Sequence, residues 1–234
     1  MTGQPPHSFD PFGKTYHERL TECLRDYGGR ESRYYSSLKA DLLLRLARSH
    51  LGDCSCMNFL DLGCGTGLAE DSIAPSFRMG AGLDLSRSML KARAHTHDNC
   101  CFLQGSVIAL PFAEHSFDLV FSVTLMHHLT NSALDGMFKE IRRVLRPGGL
   151  TVHFDHNPYN FLTRRIVSRC EYDRNTTLRP MNRIKSIARE KGLRSVESGY
   201  IIFFPAALKF LEPIERIMRP IPLGGQYFFS ALAS

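Results

Sequence analysis

Three glycines at alternate positions, Gly63, Gly65 and Gly67, follow an apolar run that carries an acid, Phe59-Leu60-Asp61-Leu62, and lead into a segment able to start a helix at Leu68. Glycines so placed let the backbone turn sharply and approach a ligand closely, because no Cβ stands in the way. Asp84 ends the stretch Gly80-Ala81-Gly82-Leu83-Asp84, roughly 20 residues past the loop, where a carboxylate can accept hydrogen bonds from both hydroxyls of a ribose. Its structural alternative is an N-cap for a helix Ser86 to Ala94. A nucleoside-containing ligand is expected, with a dinucleotide disfavoured, since the fingerprint needs a third glycine where Leu68 stands.

A second group of residues can move protons. His127-His128 and His153-Phe154-Asp155-His156-Asn157-Pro158 carry imidazoles that titrate near neutrality, as a general base must. For each, a buried and hydrogen-bonded structural histidine is the alternative. Strand alternation puts His153, Asp155 and Asn157 on one side and Phe154 and His156 on the other. Asp155 can then orient a histidine, or His156 can itself take the proton.

These residues need a framework. Phe59 to Leu62, Gly80 to Asp84, Cys101 to Gln104, Ser116 to Ser122 and Leu150 to Phe154 read as buried parallel strands, separated by helical segments. The spacing predicts helices over Tyr34 to Ser49, Leu68 to Ala74, Leu134 to Leu145, Arg179 to Lys191 and Ala206 to Met218. Leu193 to Phe204 and Gln226 to Ala233 supply an antiparallel edge, completing a sheet of about seven strands. The fold class is α/β: three layers around a doubly wound, mostly parallel, seven-stranded sheet, Rossmann-like. Residues 1–50 are expected to be an N-terminal tail and helical flap, and 51–234 one domain.

Composition narrows the partners. Hydrophobic residues make up 43% and charged residues 22% of 234, enough for a core and too apolar for wholesale disorder. A net charge of +6 and pI near 9.0 leave anionic substrates and membrane surfaces open. The cations are scattered apart from Arg164, Arg165, Arg169 and Arg174, which argues against nucleic acid and reads as a solvated face or an anion clamp. Seven cysteines without a CxxC pair suggest neither disulfides nor a zinc site, so no metal is expected. No basic, apolar leader opens the chain and no apolar run spans a bilayer, so a cytoplasmic location is expected. The apolar stripe Leu208, Leu211, Ile214, Ile217 and Met218 roofs the active site or lies against a membrane as a peripheral contact.

The strings FLDLGCGTGL (59–68), GLDLSRSML (82–90), LPF (110–112), SFDLVFS (116–122) and Arg146-Pro147-Gly148-Gly149 resemble the class I S-adenosylmethionine (SAM) dependent methyltransferases, over about Phe9 to Phe154. The resemblance implies SAM as cofactor and a small-molecule acceptor, with a hydroxyl of a metabolite or sugar precursor favoured. It implies that Gly63, Cys64, Gly65 and Gly67 lie against the amino-acid part of SAM while Asp61 holds its ammonium. Asp84 takes the ribose, and Leu85 and Met89 pack around the adenine. Ser106 and Val107 contact the adenine edge, with serine where the family has Asp, and Ser122 closes the fourth strand as a further cofactor contact. FDPFGKTYHERL (9–20) is similar to a flap over the cofactor and brings Tyr16. His127 is placed like the general base of several O-methyltransferases, and His128 like a residue that buttresses the helix. HNPYNFLT and the C-terminal FFP, LEPIE and IPLGGQY resemble a bacterial subgroup tied to glycan or secondary-metabolite assembly. The rival readings are a nicotinamide dehydrogenase, a C- or N-methyltransferase, and a catalytically silent SAM-binding module.

Overall fold

The computed structural model describes residues 32–93, 97–173 and 176–234, together with Pro11 and Thr15. Apart from Pro11 and Thr15, the expected flap segment 9–20, Tyr16 included, lies outside the described residues. Helix α1 (Ser32–Leu51) comes first, then β1 (Asn58–Leu62), α2 (Glu70–Ile73), β2 (Met79–Asp84), α3 (Arg87–Lys91) and β3 (Cys100–Gln104). The chain continues through β4 (Phe117–Val123), α4 (Asn131–Val144), β5 (Leu145–His156), α5 (Phe161–Arg169), α6 (Met181–Glu190), β6 (Leu193–Ile201), α7 (Glu212–Met218) and β7 (Gln226–Ala233).

The seven strands lie in the order β3-β2-β1-β4-β5-β7-β6. The pairs β1–β2, β1–β4, β2–β3 and β4–β5 are parallel, and β7 runs antiparallel to both β5 and β6. The strand order reverses between β1 and β4, the crevice where open α/β sheets bind ligands. Burial on both faces explains the apolar strand runs. In β1, Leu60 and Leu62 join α4 and α6 in one core, while Phe59 faces Leu42, Leu43 and Leu46 of α1 in the other. Gly80 in β2 is required by that packing, since a Cβ there would stand 2.1 Å from the Phe59 ring.

Several expected elements differ locally. The segment after the glycine loop forms only the short α2 and a 3-10 turn, Ala74–Ser76, because Pro75 cannot extend an α-helix. The Arg-Pro-Gly-Gly stretch does not precede β5 but loops out within it. Phe117 pairs with Leu145 and Leu119 with Leu150, so residues 146–149 are accommodated as a bulge, with Gly148 at φ 76°. The Ala206 to Met218 segment is broken into a 3-10 stretch, Ala206–Leu211, and α7, with Pro213 in the first turn of α7. No helix among the described residues is long and apolar enough to cross a membrane.

Candidate functional site: a cavity at the sheet switch point

A cavity of about 780 Å³ opens at the carboxyl ends of the parallel strands. At one end lies the glycine loop, with Gly63, Gly65 and Gly67 at φ 71°, 55° and 81°. Left-handed backbone here is strained for any residue with a Cβ, and at Gly63 a Cβ would also meet Leu125 Cδ1 at 2.7 Å. Gly63, Cys64, Gly65, Asp84, Leu85, Met89 and Val107 all line the cavity, so residues from three βα junctions meet as expected. Asp84 accepts from Gly65 N and from Ser86 N, each at 2.8 Å. It does not cap α3; Ser86 does, its Oγ accepting from Met89 N at 3.2 Å.

Asp61 lines the same end and is buried, with Glu70 beside it. Burial first, then the neighbouring Glu70 charge, raises the Asp61 carboxyl well above the ordinary range, and burial raises Glu70 to about 7. Apart from a proton shared between the two carboxyls and the Glu70 backbone N–H, Asp61 Oδ1 and both Glu70 oxygens have no donor among the described residues. A buried carboxylate without a donor is costly. An ammonium group placed against Asp61 would relieve it, so this end fits the amino-acid part of SAM.

Three expected cofactor residues are not brought here. Ser122 is fully buried, with Oγ 2.7 Å from His153 Nδ1, and does not line the cavity. Strand alternation turns it, like His153, into the core beside Phe138 and Phe229. Ser106 is also off the lining, held in a bridge with Ala109, while its neighbours Gly105 and Val107 line the cavity. Gly67 lies behind the loop, where Arg93 and Phe102 approach it.

The same cavity gathers the histidines. After β4 a 3-10 turn, Met126–His128, sets two imidazoles side by side, ring centroids 4.0 Å apart. Arg179 braces that turn by donating to Met126 O at 3.2 Å and Leu129 O at 2.7 Å. His127 Nδ1 donates to Asp155 Oδ1 at 2.6 Å, and its Nε2 is 3.4 Å from Asp173 Oδ1. Burial pushes the His127 ring down, but the Asp155 charge, its hydrogen bond and Asp173 outweigh that and raise it to about 9. The two carboxylates therefore favour the charged form of His127, with both nitrogens engaged.

His128 and His156 go the other way. Burial, then the positive charge on His127, lowers His128 to about 3 and His156 to about 4. His156 lies 4.8 Å from His127, ring to ring, and its Nδ1 faces the Gln226 amide at 3.4 Å. Arg164, Arg165 and Arg169 are exposed on α5 and do not line the cavity, which fits the solvated face rather than the anion clamp.

Lys39, 9% exposed, lines the cavity from α1, in keeping with a helix that could point it into the substrate space, and burial lowers it to about 8 against the pull of Asp155. Sequence reasoning passed over Asp173, Thr124 and Ile202. Asp173 sits in a segment whose arginines drew the attention. Thr124 and Ile202, β-branched yet at φ 51° and 63°, line the cavity just beyond β4 and β6. Such backbone costs on the order of 1–3 kcal/mol and collects at functional sites. No local pattern announces it.

Residues 59–149 match the methyltransferase domain family. Among curated relatives, the demethylmenaquinone methyltransferase of Lactococcus lactis is 40% identical over 123 residues, 48% of this chain and 47% of that protein. The malonyl-[acyl-carrier protein] O-methyltransferase of Erwinia pyrifoliae is 35% identical over 100 residues, 43% of this chain and 37% of its own. The chain thus spans about half the length, or less, of these relatives. A solved SAM-dependent methyltransferase of Thermotoga maritima, described as a possible histamine N-methyltransferase, superposes with a TM-score of 0.68. That match covers 97% of this chain and 98% of the other at 18% identity, which speaks for the fold alone.

Proposed function

The chain carries a class I SAM-dependent methyltransferase domain, and from that premise we propose that it transfers a methyl group from SAM to a hydroxyl of a small molecule with an apolar body. The cofactor would supply an electrophilic methyl on a sulfonium. Asp61 would hold its ammonium, the Gly63–Gly65 backbone would lie against its amino-acid part, and Asp84 would take its ribose. Leu85, Met89 and Val107 would flank the adenine.

The observation that carries the hydroxyl reading is a neutral, buried imidazole lining the same cavity as the glycine loop. His156 lines the cavity, and burial, reinforced by the neighbouring His127 charge, favours its neutral form. Gln226 Oε1 is buried without a partner, while the amide faces His156 Nδ1. With the amide turned over, Oε1 accepts from Nδ1–H and leaves Nε2 with a lone pair for the proton shed by the acceptor. His127, charged and doubly engaged, is not the base in this reading; it and Lys39 favour negative charge on the acceptor oxygen. Leu162, Ile166, Phe203 and Phe204 line the wall beyond and suit an apolar body.

The test is His156→Ala, assayed with labelled SAM and fractionated host extract alongside SAM-binding calorimetry. Turnover should fall by at least about 100-fold, with SAM affinity changed less than about threefold. Unchanged turnover would remove His156 from the chemistry, and SAM binding without product from any acceptor would favour a silent binding module.

A further inference from the structure

We propose that His127, His128 and Asp173 form a divalent-cation site suited to zinc, with Asp155 positioning His127 from behind. The inference goes beyond methyl transfer and stands without it. His127 Nε2 and His128 Nε2 each lie 3.4 Å from the same oxygen, Asp173 Oδ1, and the three donor atoms are all within 4.8 Å of one another. Ligands at about 2.0–2.1 Å around a tetrahedral zinc stand about 3.3–3.4 Å apart, so two edges of the donor triangle already have the required length. Two imidazoles and a carboxylate are the donor types zinc accepts, with the metal displacing to solvent the proton that His127 Nε2 otherwise carries, and three protein ligands leave a fourth position for water or substrate. All three residues line the cavity, so that position would face the acceptor.

The surroundings are those of a built site. Zinc-ligating histidines characteristically donate the second ring N–H to a carboxylate, which fixes the tautomer and strengthens the ligand. His127 does so at 2.6 Å to Asp155, in full burial. The histidine-bearing turn is braced through its carbonyls by Arg179, and His127 O accepts from Thr177 N at 2.9 Å, three residues beyond 174. The expectation of no metal rested on cysteine spacing. Ligands numbered 127, 128 and 173 have no recognisable spacing, and α4, β5 and α5 intervene between them.

The full chain, stripped with a chelator and dialysed, would be titrated with Zn²⁺ by calorimetry and with Co²⁺ by visible absorption, using Mg²⁺ as control. One Zn²⁺ per chain is expected, together with Co²⁺ bands of a tetrahedral N/O site and no thiolate charge-transfer band. Asp173→Asn and His128→Gln should each weaken Zn²⁺ by more than about 100-fold, and Asp155→Asn by about 10- to 100-fold. Circular dichroism would show that each variant is folded. No Zn²⁺ binding by the folded wild type, unchanged affinity in both ligand variants, or a thiolate band from the cysteines would each overturn the proposal. SAM binding measured on the stripped protein keeps the two readings apart: metal can fail while SAM binds, and the reverse.

Discussion

His127 Nδ1 lies 2.6 Å from Asp155 Oδ1, and both side chains are almost completely buried, 2% and 4% exposed. Burial would raise the Asp155 carboxyl, yet the His127 charge and hydrogen bond hold it below the usual range. The pair is one unit in which neither charge is affordable alone. Removing one partner of a buried pair costs on the order of 3–5 kcal/mol. Asp155→Ala should therefore shift the urea midpoint down by that equivalent, and Asp155→Asn by less. An unchanged midpoint for Asp155→Ala would show that the pair contributes nothing to the fold.

The Asp61–Glu70 pair predicts a pH dependence. Both carboxyls are raised by burial, so the folded, ligand-free protein holds protons that the unfolded chain has released. Stability from this pair is complete below the ordinary carboxylate range and is lost as pH rises towards and past about 7. An ammonium against Asp61 favours the ionised form, so SAM affinity should rise with pH as that carboxyl gives up its proton. Glu70→Gln should flatten that rise. Calorimetry at several pH values reads it directly, and a flat wild-type profile would refute the coupling.

Two glycine substitutions separate strain from ligand approach. Gly52 (φ 85°) has nothing within 4 Å of a built Cβ, whereas Gly65 (φ 55°) lines the cavity and its Cβ would stand 3.3 Å from Met89 Cε. Changing either to alanine should cost on the order of 1–2 kcal/mol of stability. Only Gly65→Ala should weaken SAM, by about tenfold or more. Equal SAM affinity in the two variants would place the cofactor elsewhere.

Ser122→Ala tests the interior assignment of that serine. His153 is buried between Ser122 Oγ and Thr151 Oγ1, each at 2.7 Å, and burial lowers it to about 3. Losing one partner should cost about 1–3 kcal/mol in chemical unfolding, with SAM affinity untouched. Weakened SAM binding at unchanged stability would return Ser122 to the cofactor site.

Much of the framework was legible because it is local. A parallel strand buried on both faces must be apolar throughout, a loop meeting a ligand must shed its Cβ atoms, and a carboxylate one strand later falls at the same sheet end; Leu60, Gly65 and Asp84 each obey a rule that acts within a few residues. Strand alternation even separated Asp155 from His156, and the structure sets them against different neighbours. Where a local rule competed with a neighbour out of sight, the text misled. Ser122 looked like a strand-end cofactor contact until His153 claimed it from β5, and Arg164 and Arg165 outshone Asp173, the residue that reaches the histidines.

The amino-acid order by itself determined the sheet, its glycine cradle and the pairing of that cradle with Asp84. The tertiary structure alone decided the protonation of the histidines, because that depends on distance and burial. His127 becomes a cation only since Asp155, 28 positions on, and Asp173, 46 positions on, close around it. Its charge in turn helps keep His128 and His156 neutral. No spacing along a chain encodes an electrostatic field; folding creates it by removing water from between the groups.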